Sequence, residues 1–219
     1  MKLVIFGIGD LARMAHYYFT QDSAYEVAAF TVSNDYITQN TFMDLPLVPF
    51  ETLLKTHPPD KYHLYIAIGY SKLNKVRELY YNQAKALGYK LASYISSQAT
   101  VQTNQIGDNT FIFEDNTIQP FVTIGSNNVI WSGNHIGHDS TIGNHCFITS
   151  HVVLAGWSKV SDYCFLGINA TVRDQVTIGD NCFIGAGALI THDIKPNSIY
   201  KANPAVPSKL PIEKLREKL

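Results

Sequence analysis

The chain has 219 residues, and its 17 Lys and Arg nearly balance its 18 Asp and Glu, for a formal charge of −1. That balance excludes the basic footprint of a nucleic-acid-binding protein. The opening MKLVIFGIGD is too short to span a membrane and has no signal-peptide cleavage pattern, so a cytoplasmic location is expected.

In chain order, Lys2–Phe6 reads as a buried strand, followed by the Gly7–Ile8–Gly9–Asp10 turn and a helix through Leu11, Ala15 and Phe19. Glu26–Val32 reads as a second strand and Leu47–Val48 as a short one, before a helix near Phe50–Lys55. Tyr62–Ile68 is a further strand ending at Gly69; Ser71 is placed to cap a helix reaching about Leu87, and Lys90–Ile95 reads as a last strand. Strands alternating with helices imply a parallel sheet covered by helices. The Gly7–Ile8–Gly9 turn matches only the start of a dinucleotide fingerprint. Ala12 stands at the third glycine, and Thr31–Val32–Ser33 offers no acid for a ribose, so the motif argues weakly for NAD. Glycine turns before helices still suit phosphate, and Gly69–Tyr70–Ser71–Lys72 repeats the pattern, with Lys72 and Arg77 adding positive charge. These turns imply a phosphorylated small-molecule site built from Gly7, Ile8, Gly9, Asp10, Gly69, Tyr70, Ser71, Lys72 and Asn74. The bland alternative is that the glycines only make turns and the cations only solvate a helix.

From Ile106 to Ile190 every sixth residue is Ile, Leu or Val. Neither a helix nor an ordinary strand has this period, but a parallel β-helix does, each hexad forming one face of a coil. Three faces per turn give about five coils. Cys146, Cys164 and Cys182, and likewise Phe147, Phe165 and Phe183, are spaced as residues stacked on successive coils. The cysteines read as small buried fillers, not as disulfides, ligands or nucleophiles. Small residues four after each aliphatic fit a narrow interior. The phenylalanine ladder, with Trp131 and Trp157 nearby, reads as an exposed face that seals a homotrimer. The tail Ile212–Leu215–Leu219 reads as a short helix. Domain limits of 1–97, 98–200 and 201–219 follow.

An N-terminal domain with GxG after its first strand and Ala67–Ile68–Gly69 after a later one, followed by hexads and the pair His138–Asp139, resembles the bacterial sugar acyltransferases of the sialic-acid O-acetyltransferase type. It is most similar to the branch that N-acetylates nucleotide-linked amino sugars, as in bacillosamine synthesis. The resemblance implies an α/β Rossmann-like domain that binds a nucleotide-linked amino sugar, followed by an all-β left-handed β-helix. It implies acetyl-CoA as co-substrate, a homotrimer, and no metal. In Gly137–His138–Asp139–Ser140–Thr141–Ile142–Gly143 it implies His138 as general base and Asp139 as its orienting acid. It places acetyl-CoA on Gly156, Ile168, Gly185 and Ala186, and on Asn203 and Pro204 of the Ala202–Asn203–Pro204–Ala205 tail motif. Phe147 stands where some members have a second histidine that contacts the cofactor, which leaves His145 or His151 to substitute, and His135 is a further possible assistant. Two other classes stand beside this one: a zinc enzyme using those histidines, and a non-catalytic nucleotide-sugar-binding protein.

Overall fold

The computed structural model describes residues 1–208 and 212–216. Its first part is a sheet of five strands: β1 (Lys2–Phe6), β2 (Glu26–Val32), β3 (Thr41–Phe42), β4 (Leu45–Pro49) and β5 (Tyr62–Ile66). The order is β3-β4-β2-β1-β5, all parallel except the β3–β4 hairpin. Helix α1 (Asp10–Gln21) buries Leu11, Ala12, Ala15 and Phe19, and α2 (Leu53–Thr56) buries Leu53. Gly7 sits at φ 130°, and a methyl group there would lie 2.8 Å from Ala67 O. Only glycine serves at that crossing. Ala12, fully buried beneath it, fills the place where the fingerprint has its third glycine.

Helix α3 (Lys75–Ala86) starts three residues later than the Ser71 cap suggests. Lys72, Leu73 and Asn74 intervene at φ 48°, 50° and 69°, a left-handed turn that cannot continue into a helix. The expected last strand is also broken up. Leu91 makes a single parallel bridge with Leu64, whereas Tyr94–Ile95 pairs with Phe111–Ile112 and so opens the β-helix.

The hexads stack as a three-faced parallel β-helix. We name the faces by their outward residues: a threonine face (Thr123, Thr141, Lys159, Thr177), a phenylalanine face (Phe111, Val129, Phe147, Phe165, Phe183) and a mixed face (Thr117, His135, Val153, Thr171, Leu189). The aliphatic column fills the interior, and the small residues beside it are buried. Cys146, Cys164 and Cys182 are buried free thiols donating to Ser161 O, Gly179 O and Lys195 O of the next coil. Asn128 does the same work with more force: its amide donates to Gly125 O and Gly143 O, and its oxygen accepts from Cys146 N. The stack runs past the clean hexads at both ends, from Tyr94–Ile95 to Ile199–Tyr200, with seven strands on the phenylalanine face.

The phenylalanine ladder is not a surface for another copy. Phe111, Phe147 and Phe165 are buried under the N-terminal sheet, in one apolar cluster with Phe19, Tyr65 and Tyr94. Tyr70 packs on Phe147 and Phe165 at ring distances of 5.1 and 4.9 Å. Trp131 stacks on Phe113 at 4.5 Å in the same cluster. The periodicity identified stacked aromatics correctly, but their cover comes from the same chain. Of the expected tail helix, Ile212–Arg216 is present and Leu219 lies outside the described residues.

Candidate active site

His138 and Asp139 lie on the edge where the mixed face turns into the threonine face. From Ile106 to Ile184, each hexad turns its edge through one residue in the left-handed region, three positions after the inward aliphatic. Asp139 is such a residue, at φ 58°. The bend swings its carboxylate back to His138, whose Nδ1 lies 2.8 Å from Asp139 Oδ2. The carboxylate accepts there, so Nδ1 carries the proton and Nε2 is left with a free lone pair. The histidine side chain is 52% exposed and the aspartate 26%. Gln119, one coil below, accepts the His138 backbone N–H at 2.8 Å. Gly156, one coil above, lies against the imidazole: a methyl group there would come within 2.7 Å of Nε2 and 2.8 Å of Cε1. Trp157 follows, its ring edge-on to His138 at 6.3 Å. Gln119 was not singled out from the sequence, because a lone polar residue on a coil surface carries no spacing signal.

The other histidines stand apart from His138 within one chain. His145 belongs to the edge between the threonine and phenylalanine faces, buried and bonded to Asn127 Nδ2 at 2.8 Å, with Tyr163 stacked on it. Burial lowers its pKa from the ordinary value of 6.5. His151 lies on the third edge against Gly133, and His135 on the mixed face. Ile168, Gly185 and Ala186 share His151's edge, so they are separated from Gly156 by a whole face. Asn203 and Pro204 are exposed beyond the last coil.

The N-terminal residues divide as well. Gly7, Ile8, Gly9 and Gly69 meet at the carboxyl ends of β1 and β5, around a cleft of about 300 Å³ closed by Ser33, Tyr36 and Tyr80. The hydroxyls of Ser33 and Tyr80 are 2.6 Å apart across it. Asp10 begins α1 but turns to solvent and pairs with Arg13 at 3.4 Å. Tyr70, Ser71 and Lys72 line a different cavity, of about 520 Å³, against Asn181, Phe183 and Ile199. Asn74 is fully buried and donates to Cys164 O, so it faces no ligand cleft. Arg77 is fully buried too, donating to Ile68 O, Gly69 O, Asn127 O and Cys146 O. It is a tie between sheet and β-helix, not a surface cation for phosphate. Desolvation brings its pKa down to about 10, which leaves it charged at neutral pH.

Among the described residues no helix is long and apolar enough to cross a membrane. Residues 105–137, 122–156 and 158–192 match the bacterial transferase hexapeptide (six repeats) family, so the β-helix is built of that family's repeat. No curated protein matches the chain. Among solved structures, the chain is similar to the acetyltransferase domain of PglB from Neisseria gonorrhoeae FA1090, with 24% identity, 94% of this chain and 99% of that one covered, and a TM-score of 0.79. It is similar to PerB from Caulobacter crescentus in complex with CoA and GDP-perosamine, with 25% identity, 94% and 96% covered, and a TM-score of 0.81. WeeI from Acinetobacter baumannii AYE aligns over 94% of this chain and 99% of its own at 19% identity, with a TM-score of 0.71.

Proposed function

We propose that this chain is an acetyl-CoA-dependent acetyltransferase acting on a nucleotide-linked amino sugar. The carrying observation is the His138–Asp139 pair, with Nε2 free beside Gly156 on an edge of a transferase-type β-helix. The fold likeness to PerB, whose structure holds CoA and GDP-perosamine, agrees with it.

In this reading His138 Nε2 takes the proton of the acceptor amine as that amine attacks the thioester carbonyl; the C–S bond then breaks, and the imidazolium gives the proton to the departing thiolate, leaving the amide and free CoA thiol. Asp139 holds the ring and stabilises the imidazolium that forms. The acceptor supplies the nucleophile, so none is needed from the protein. The neutral amine is a good nucleophile, and one partly exposed histidine with one acid suffices for it. A hydroxyl has a much higher pKa and would call for a more buried dyad, which places O-acetylation second.

The nucleotide belongs in the Gly7–Gly9 and Gly69 cleft of an α/β Rossmann-like unit. No side chain lining the cleft is cationic, so phosphate contacts there fall to backbone N–H groups of the turn and the start of α1. Tyr94–Ile95 already pairs within the β-helix, so residues 1–93 form the nucleotide-sugar unit, 94–200 the acyltransferase unit and 201–219 the tail. The N-terminal sheet covers the phenylalanine face, while His138 lies on the opposite edge of the same prism. One chain therefore does not bring its own cleft to its own histidine. A homotrimer resolves this, with one copy's cleft presented to its neighbour's His138. The same packing closes a groove for acetyl-CoA between one copy's Gly156 edge and the next copy's Ile168, Gly185 and Ala186, with Asn203 and Pro204 at its end.

The test is turnover. Acetyl-CoA is supplied with matched UDP-, dTDP- and GDP-sugars that differ only in an amino or a hydroxyl group, and thiol release is followed. Release with an amino sugar is expected. Release only with hydroxyl sugars moves the assignment to O-acetylation, and silence with all of them overturns it.

A further inference from the structure

The His138 edge continues downward to a cavity that the catalytic reading leaves unused. Following the edge from the base of the prism, the left-handed corner residues are Phe121, Asp139, Trp157 and Gln175. Asp139 N donates to Pro120 O at 3.2 Å, so Phe121 sits one coil, about 4.8 Å, below the dyad. Phe121 is 73% exposed at φ 66°. Each regular hexad corner from Asn109 to Gly187 takes that backbone shape, and Asn, Asp and Gly adopt it with least strain. Most corners here are filled accordingly, by Asn109, Asp115, Asn127, Gly133, Asn169 and Asn181 among others. Two other ring-bearing corners have packing reasons. Tyr163 bonds Glu78 on α3, and His145 stacks on Tyr163. No such packing accounts for Phe121: among the described residues its ring meets no other aromatic ring.

A second observation points to a ligand. Phe121 lines a cavity of about 410 Å³ with Gln102, Thr103, Asn104 and Gln105. These four residues form the first bend of the same edge. There the register is one residue short: Val101 pairs with Ile118 and Ile106 with Ile124. Two of the polar groups are held in place. Thr103 Oγ1 donates to Val122 O at 2.7 Å, and Gln105 Oε1 accepts from Thr123 Oγ1 at 3.0 Å. The lining thus combines one aromatic face with amides and a hydroxyl, and it includes no charged side chain. A diphosphate finds no counter-charge there. A pyranose ring does fit that chemistry, since its C–H face packs on an aromatic ring and its hydroxyls exchange hydrogen bonds with neutral amides.

We propose that the Phe121 cavity is the subsite for the acceptor's sugar ring, with Phe121 as the residue that sets preference for that ring. The inference rests on the amino-sugar acetyltransferase reading. It adds that the ring is seated on the β-helix, one coil beneath His138, while the nucleotide is held elsewhere.

The test uses the full-length protein and Phe121→Asn, which is suited to the left-handed corner and so keeps the fold. With the best nucleotide amino sugar, KM for the sugar should rise about tenfold, the scale of a lost aromatic stack. KM for acetyl-CoA and the light-scattering mass should stay as in the unsubstituted protein. Three results overturn the proposal: unchanged KM for the sugar, a rise confined to acetyl-CoA, or dissociation of the oligomer, which would make Phe121 a subunit contact. Saturation-transfer NMR with free glucosamine separates this from failure of the parent reading, because it needs no turnover. Transfer to the sugar ring that is lost in Phe121→Asn supports the subsite even if no nucleotide sugar is acetylated. No transfer, or equal transfer in both proteins, counts against it.

Discussion

At the scale of the residue, the site depends on a hydrogen atom where any other residue would place a methyl group. Gly156 has no side chain, and His138 lies in the space thereby left. A Gly156→Ala methyl group would meet Nε2 at 2.7 Å and push the ring outward, away from the proton it takes in the proposed reaction. Loss of a general base is typically worth about 10² to 10⁴ in kcat. Gly156→Ala should therefore approach His138→Ala in kcat, although it removes no titratable group; a variant within twofold of the unsubstituted enzyme refutes this placement of the imidazole. His145 is used differently. It is buried, its Nδ1 accepts from Asn127, and desolvation holds its pKa below 6.5, with Glu78, Arg77, Asp162 and Lys75 as weaker influences. The unfolded chain thus binds this proton more readily than the folded one. The stability contributed is complete above about pH 6.5 and is lost as pH falls towards the folded value. His16, His57 and His63 are lowered by burial in the same direction. In His145→Asn, which suits φ 58°, the drop in melting temperature between about pH 7.5 and about pH 5.5 should shrink but persist. An unchanged drop refutes the role.

At the scale of the element, what was legible in the sequence is what the backbone repeats. The aliphatic hexads give the prism, and each strand of the N-terminal sheet has its own apolar run. The end coils were hidden because their spacing slips: Val101 to Ile106 is one residue short, and Ile178 bridges Ile194 instead of a residue eighteen on. The outward phenylalanines were legible as a ladder, but one face of a prism looks the same whether a second chain or the first hundred residues cover it. The start of α3 was unreadable because Lys72–Asn74 turn left-handed, which no composition rule anticipates for Lys and Leu. His138–Asp139 was legible through resemblance, whereas Gln119 and the Gly156 contact arise only once coils stack. Arg77 shows the same limit, since its charge suggested a phosphate and its burial shows four carbonyls on two structural units. Those carbonyls lose their donors in Arg77→Met, which should lower the unfolding free energy by about 2–4 kcal/mol. Arg77→Lys should rescue little, because one ammonium cannot reproduce the guanidinium fork. Urea midpoints of the three proteins decide this, and a midpoint for Arg77→Met equal to the parent's refutes it.

At the scale of the whole molecule, the position of the N-terminal sheet determines how the sites are composed. It occupies the phenylalanine face, and the dyad lies on the edge between the other two, so cleft and histidine of one chain are on opposite sides of the prism. If neighbouring copies complete each site, two inactive variants should restore each other. His138→Ala removes the base and leaves the cleft. Gly9→Glu does the reverse: Gly9 has φ −90° and open space where a side chain begins, so the fold accepts it, while its carboxylate repels a phosphate at the start of α1. In randomly mixed trimers, each site pairs one copy's cleft with a neighbour's histidine, and about a quarter of sites receive both intact halves. Co-expressed variants should therefore recover about a quarter of the parent's turnover per site, whereas separately purified variants, mixed without subunit exchange, recover none. A site built within one chain gives a different result, since every chain in the mixture carries one defect and no assembly is active. Zero recovery in co-expressed trimers, with mixing verified by two affinity tags, would return the cleft and the histidine to a single chain.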